Sequence, residues 1–315
     1  MSSVVLKSTE TSNVQNLFAN CISFDFIKEI YTPYTSLKAE FRLSDRDIPP
    51  KNPKDIELLL DEKLVHKGIV DKLEVRNNFG EKTLSLTSRG YSSLLGQNEM
   101  TPGLISAISL DKLMANYVKN PNITHQPSPA EVNYIYVKEH ASFWEAIVNL
   151  CLKQYEKYPY ISGTNCVNFS ENSQQKYTVL RETDKVVSEF SAVDYTKAIS
   201  DFHMKDTDGA YNKYNLNAPN ISALNILRQK HIPLDRQWLD NPSKGLQFKL
   251  RFASRGIKSC GITYQGYKGE DLNDKITTEK FIGLKVSAMQ ICGNSKGITT
   301  TDIFYCDDYC NVNAF

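Results

Sequence analysis

Few residues in this chain stand at spacings that could do chemistry, and each such set lacks a partner the chemistry requires. Gly293-Asn294-Ser295-Lys296-Gly297 fits the Gly-x-Ser-x-Gly elbow, in which a strand-to-helix turn exposes a nucleophilic serine beside oxyanion-stabilising amides. The residues that follow, Ile298-Thr299-Thr300-Thr301-Asp302-Ile303-Phe304, are mostly β-branched and predict a strand, not a helix. The last histidine is His231, so the order serine, acid, histidine cannot be met. The segment reads as a glycine-containing hairpin.

Metal chemistry meets the same difficulty. Cys306 and Cys310 have a permissible zinc spacing, and Cys292 stands on the strand before them. A structural zinc needs a second ligand pair, and His66, His125, His140, His203 and His231 are dispersed far from this end. The carboxylates Glu145, Asp201, Asp206 and Asp208 show no pairing that spacing alone could define, and solvated surface is their expected role. Neither a phosphate-cradling Gly-x-x-x-x-Gly-Lys-Ser/Thr loop nor a Gly-x-Gly-x-x-Gly motif occurs. The sequence therefore predicts no catalytic residues, no bound cofactor and no metal.

Composition narrows the class further. The 315 residues carry 37 Lys+Arg against 36 Asp+Glu, so a net charge of +1 gives no broad attraction to nucleic acid or to an anionic membrane. No apolar run approaches the ~20 residues that span a bilayer, and no secretory leader is evident. Seven widely spaced cysteines then point to reduced thiols in a cytoplasm. Seventeen tyrosines and fourteen phenylalanines favour strands, where flat side chains pack on a pleated surface.

The elements follow from periodicity. Ile22, Phe24 and Phe26 alternate, as do Leu37, Ala39, Phe41 and Leu43. Ile56–Leu60 and Leu64–Val65 flank Asp61-Glu62-Lys63 as a hairpin, and Asn77-Asn78-Phe79-Gly80 marks the next turn. Leu110, Leu113, Met114 and Tyr117 recur at helical spacing. Ser142-Phe143-Trp144-Glu145 fits a capping box, followed by an apolar stripe of Trp144, Ile147, Val148, Cys151 and Tyr155. Strands are expected at Cys166–Phe169 and Tyr177–Leu180, and a short helix at Ser222–Lys230. Leu246, Phe248 and Leu250 alternate as in a strand, as do Ile262 and Tyr264. The Phe281–Ile291 and Ile298–Tyr305 strands complete the set. The fold class expected is mainly β: an N-terminal tail at 1–15, a small antiparallel barrel at 16–104, an α+β middle domain at 105–185 and a second β-rich barrel at 186–315.

Two stretches carry a family resemblance. Leu64–Val75 and its continuation Lys82–Glu99, with Arg89-Gly90-Tyr91, Leu94-Leu95 and Pro102-Gly103, resemble the barrel passage of baseplate hub proteins from contractile phage tails. The Ser142–Tyr155 helix is similar to the Ser-aromatic-Glu helix of that family's middle domain, and Gly245–Arg255 with the Gly293–Gly297 hairpin resembles its second barrel. The family is late control protein D, related to the hub part of type VI secretion spike proteins. The resemblance implies a non-enzymatic homotrimer with two tail-tube-like barrels per chain, joining a sixfold tube to a threefold central spike. Its implied partners are the spike, tail tube and baseplate wedge proteins, without specific nucleic acid or a direct membrane anchor. Its implied place is the virion baseplate, assembled in the host cytoplasm. Two other readings stay open: a cell-wall glycan- or peptidoglycan-cleaving tail enzyme, and a carbohydrate-binding module using Tyr211, Tyr214, Tyr264 and Tyr267.

Overall fold

The computed structural model describes residues 3–170 and 176–305. Its centre is an 11-stranded antiparallel sheet. Across that sheet run Val186–Val193, Lys258–Gln265, Gly297–Tyr305, Ala288–Asn294, Cys21–Glu29, Ser36–Leu43, Glu81–Gly90, Lys63–Asn78, Pro53–Leu60, Val4–Glu10 and Gln15–Phe18. Alternation drives it: along Ser36–Leu43, Leu37, Ala39, Phe41 and Leu43 are buried, while Lys38 and Arg42 stay in water. The two hairpins expected around residues 61–62 and 79–80 form, with Asp61, Glu62, Phe79 and Gly80 all at positive φ.

The junction of the two halves is the pairing of Cys21–Glu29 with Ala288–Asn294, residues more than 250 positions apart. One apolar core beneath the sheet accordingly takes Leu6, Phe26, Phe41 and Leu58 from the first half and Ile262, Ile291 and Phe304 from the second. The edge strands Gln15–Phe18 and Val186–Val193 do not pair with each other, so the sheet is open where two separate closed barrels were expected. Residues 4–10, expected in a tail, form an inner strand with Leu6 wholly buried.

Two smaller units lean on this sheet. In one, the Leu110–Tyr117 and Phe143–Tyr155 helices cover the Gly103–Ile108/Val132–Val137 strand pair, with Leu113, Ile135, Ile147, Leu150 and Cys151 at the centre. The Phe143–Tyr155 helix starts with the capping box read from the sequence: Ser142 Oγ accepts from the Glu145 amide at 3.2 Å, and Glu145 Oε2 accepts from the Ser142 amide at 2.9 Å. In the other unit the Pro242–Ser254 helix packs Leu246 and Leu250 against Phe202, Met204 and Ile221.

That last helix corrects the expected Leu246–Leu250 strand. Asn241 accepts from the Lys244 amide at 3.1 Å and Pro242 occupies the first turn, a start signal stronger than the chance alternation of three apolar residues. The expected Ser222–Lys230 helix is also replaced, by a four-residue helix at Pro219–Ser222 and a strand at Gln229–Ile232 that pairs in parallel with Asp201–Met204. No helix among the described residues is long and apolar enough to cross a membrane.

Candidate functional site

Several of the residues flagged for chemistry have local structural roles. Ser295 sits in the tight turn between two paired strands, with Asn294 opposite Gly297 and the Lys296 amide donating to Asn294 Oδ1 at 2.8 Å. The turn leads into a strand, and a Cβ at Gly293 would lie 2.1 Å from the Phe24 ring, so the first glycine of the motif is a packing residue. Cys292 faces Asp25 across the strand pair, with its Sγ 3.6 Å from Asp25 Oδ1. Cys306 and Cys310 lie outside the described residues. Among the described residues no three His, Cys, Asp or Glu side chains converge as metal ligands.

Three of the flagged carboxylates hold backbone or a neighbouring polar group. Glu145 closes the capping box, Asp201 accepts from Ser200 Oγ and Asn217 Nδ2, and Asp206 accepts from the amides of Asp208 and Ala210. The histidines stay dispersed except His203 and His231, whose rings stack at 4.7 Å on neighbouring strands, with Tyr211 edge-on to His231. The four tyrosines proposed as a sugar platform are split. Tyr264 is wholly buried, donating to Glu270, whereas Tyr211 lies outside the strands, with its ring against His231 of a different sheet.

One carboxylate escaped the sequence reading. Asp302 is fully buried among the inward-facing residues of its strand, opposite Ile262 and Met289, and neither of its oxygens has a hydrogen-bond partner among the described residues. Burial, and then the charge of nearby Glu270, holds its carboxyl well above the ordinary carboxylate range. The signal was present: Ile298, Thr300 and Phe304 share the inward phase, which places Asp302 on the core face.

Two surfaces stand open. The first is the pair of sheet edges. Val186–Val193 has one partner strand among the described residues and exposes Val186, Val187 and Val193, an unusual burden for a free edge. Phe190 anchors this strand by filling the space above Gly261, where an added Cβ would lie 2.4 Å from its ring. At the opposite edge Leu17 of Gln15–Phe18 is exposed.

The second surface is a groove of about 790 Å³ between the Phe143–Tyr155 and Pro242–Ser254 helices. Its walls are aromatic: Tyr31, Tyr158 and Phe252 meet with ring centroids 5.0–5.8 Å apart, and Trp238 packs on Phe248 at 5.0 Å. Arg255 lies 3.5 Å above the Phe252 ring. Burial pushes the Tyr158 hydroxyl up to about 12. The ion pair of Lys244 with Glu156, at 2.7 Å, ties the two helices across one end.

No protein-family model matches the chain, and no curated relative matches it by sequence. Solved structures do. A 43 kDa tail protein of prophage MuSo2 from Shewanella oneidensis superposes with a TM-score of 0.71 at 13% identity, covering 96% of this chain and 98% of that one. A tail protein from Neisseria meningitidis MC58 gives 0.69 at 15% identity, with 96% of each chain covered. The Escherichia coli c3393 protein, a type VI secretion component described as similar to the phage T4 tail proteins gp27 and gp5, gives 0.54 at 9% identity, over 90% of this chain and 73% of that one. The chain thus shares the fold of these phage tail proteins and of a type VI secretion component.

Proposed function

We infer that this chain is a non-enzymatic structural part of a contractile tail or tail-like particle, and that it works as the trimeric baseplate hub between a sixfold tube and a threefold spike. The observation that carries the reading is the end-to-end agreement with a phage tail protein, which leaves little of either chain unmatched. The open sheet supports it. Two edges unpaired among the described residues suit a heterologous contact, which repeats into a ring when the rotation closes. In this reading the Val186–Val193 edge of one subunit meets the Gln15–Phe18 edge of the next. The strands of residues 4–90 and those of residues 186–305 serve as the two tube-like units of each subunit. Spike, tube and wedge proteins are its partners, and the virion baseplate its place.

Light scattering of the purified chain, alone and mixed with a tail spike protein, tests the reading. A species near three times 35.7 kDa is expected for the chain alone, or a heavier one holding three copies of it together with the spike in the mixture. A monomer under both conditions would sink the trimeric hub.

A further inference from the structure

The Asp201–Met204 strand lies between Tyr214–Asn217 and Gln229–Ile232, and this small sheet has two unlike faces. Phe202, Met204 and Ile232 point into the core they share with Leu246 and Leu250 of the Pro242–Ser254 helix. The alternate positions put Asp201, His203, Asn215 and His231 on the other face.

On that face His203 is held in one tautomer. Asn215 Nδ2 donates to the Asn212 carbonyl at 3.0 Å, so Oδ1 is the amide atom that meets His203. The His203 Nδ1–H donates to that oxygen at 2.8 Å, which leaves Nε2 as the nitrogen with the lone pair. Nε2 is sealed from water and has no hydrogen-bond partner among the described residues. A buried acceptor left unpaired is costly, and a bound ion is one of the few things that accounts for it. A ring N–H anchored on a fixed oxygen is also how proteins aim the opposite nitrogen of a metal-ligating histidine.

A second imidazole stands beside it. His231 is the register partner of His203 on the neighbouring parallel strand, with ring centroids 4.7 Å apart and 15° between the planes. Its side chain is exposed and its ring makes no hydrogen bond with another described residue, so the ring is free to tilt. Two bonds of about 2.0–2.1 Å from imidazole nitrogen to a divalent ion span about 4 Å, within reach of rings at this separation. Asp201, two residues before His203 on the same face, adds negative charge nearby, although Ser200 and Asn217 already hold its oxygens. Two histidines are therefore the protein ligands this face offers.

We propose that His203 Nε2 and a ring nitrogen of His231 together bind one late first-row divalent cation of the kind imidazole favours, copper, nickel or zinc, with water in the remaining positions. The ion gives the buried nitrogen its missing partner. It also ties the Gln229–Ile232 strand to Asp201–Met204 through side chains as well as backbone. The inference does not rest on the hub reading.

Copper(II) iminodiacetate is the probe, a chelate that leaves adjacent positions open for two imidazoles. It is added to the full chain with Cys21, Cys166, Cys292, Cys306 and Cys310 changed to serine, so that these thiols do not compete. Cys151 and Cys260 are buried and stay. Pulsed electron paramagnetic resonance is expected to show one chelate per chain, bound at micromolar concentration and coupled to two imidazole nitrogens. His203→Gln and His231→Gln are each expected to weaken binding at least tenfold and to leave one imidazole coupling. The second variant removes an exposed ring without a hydrogen bond, so its fold is expected to stand. Saturating zinc is expected to raise the urea midpoint of the chain with both histidines and not that of His231→Gln. A chelate bound equally tightly by His231→Gln would overturn the proposal. So would a single imidazole coupling in the chain that keeps both histidines, or no bound chelate at all.

Discussion

Asp302 lies directly across the strand pair from Ile262, both side chains wholly buried on the core face of the sheet. A carboxylate facing an isoleucine in the core, with no hydrogen bond to either oxygen from any described residue, is held as the neutral acid. Between the ordinary aspartate pKa of about 3.9 and its raised folded value, the native state keeps a proton that the unfolded chain releases. Stability therefore falls as pH rises above about 4. Chemical denaturation at pH 5 and pH 8 should find that Asp302→Asn gains stability relative to the wild-type chain as pH rises. A stability difference between wild type and Asp302→Asn that is the same at both values would refute the neutral-acid assignment.

His66 titrates with the opposite sign. It is fully buried, with Nδ1 2.8 Å from Thr35 Oγ1 and Nε2 2.8 Å from Ser88 Oγ, and burial lowers its pKa to about 3. The native state keeps the ring neutral, so this contribution is complete above about 6.5 and is lost as pH falls from there through about 3. His66→Ala also leaves two buried hydroxyls without partners and should cost about 2–4 kcal/mol. Urea titrations at pH 7 and pH 4.5, made in an Asp302→Asn background that removes the opposing carboxyl, check both statements: the chain with His66 should weaken in acid, and the chain with His66→Ala should weaken less.

Gly261 sets how firmly the Val186–Val193 edge is held. A Cβ there would meet the Phe190 ring at 2.4 Å and the Asp302 carbonyl oxygen at 2.8 Å. Gly261→Val should cost about 1–3 kcal/mol by overpacking. Its amide exchange signature should be local first, with faster exchange across residues 186–193 than across Ser36–Leu43 in the sheet interior. Uniform exchange rates would show that the edge strand is not anchored by this contact.

Much of the sheet was legible because its cause is local. The alternation of Leu37, Ala39, Phe41 and Leu43, the turns at residues 61–62 and 79–80, and the Ser142–Glu145 box all depend on neighbours within a few positions. The pairing of Cys21–Glu29 with Ala288–Asn294 has no such signature, since register between distant strands is settled by the shared core. The groove lacks a local signature for the same reason. Its aromatics come from Tyr31, Trp144, Tyr158 and Phe252, residues that only the tertiary fold brings together. The Leu246–Leu250 segment misled because the helical pair at i and i+4 also reads as strand alternation when an apolar Phe248 stands between. Asn241-Pro242 was the deciding signal.

The edge contact has its own test. Val187 is 60% exposed, so Val187→Lys should change monomer stability by no more than about 0.5 kcal/mol. A lysine on a strand edge opposes strand addition, so the same variant should fail to form the trimer and to enter particles. Normal assembly of Val187→Lys would remove this edge from the subunit interface.

The most direct measurement is negative-stain electron microscopy of material copurifying with a tagged copy of this chain during particle production. Tail-like particles with the tag label confined to the baseplate end are expected. Particles labelled along the tube or at the distal terminator, or a tagged chain recovered with no particles while untagged tails assemble normally, would contradict the hub assignment.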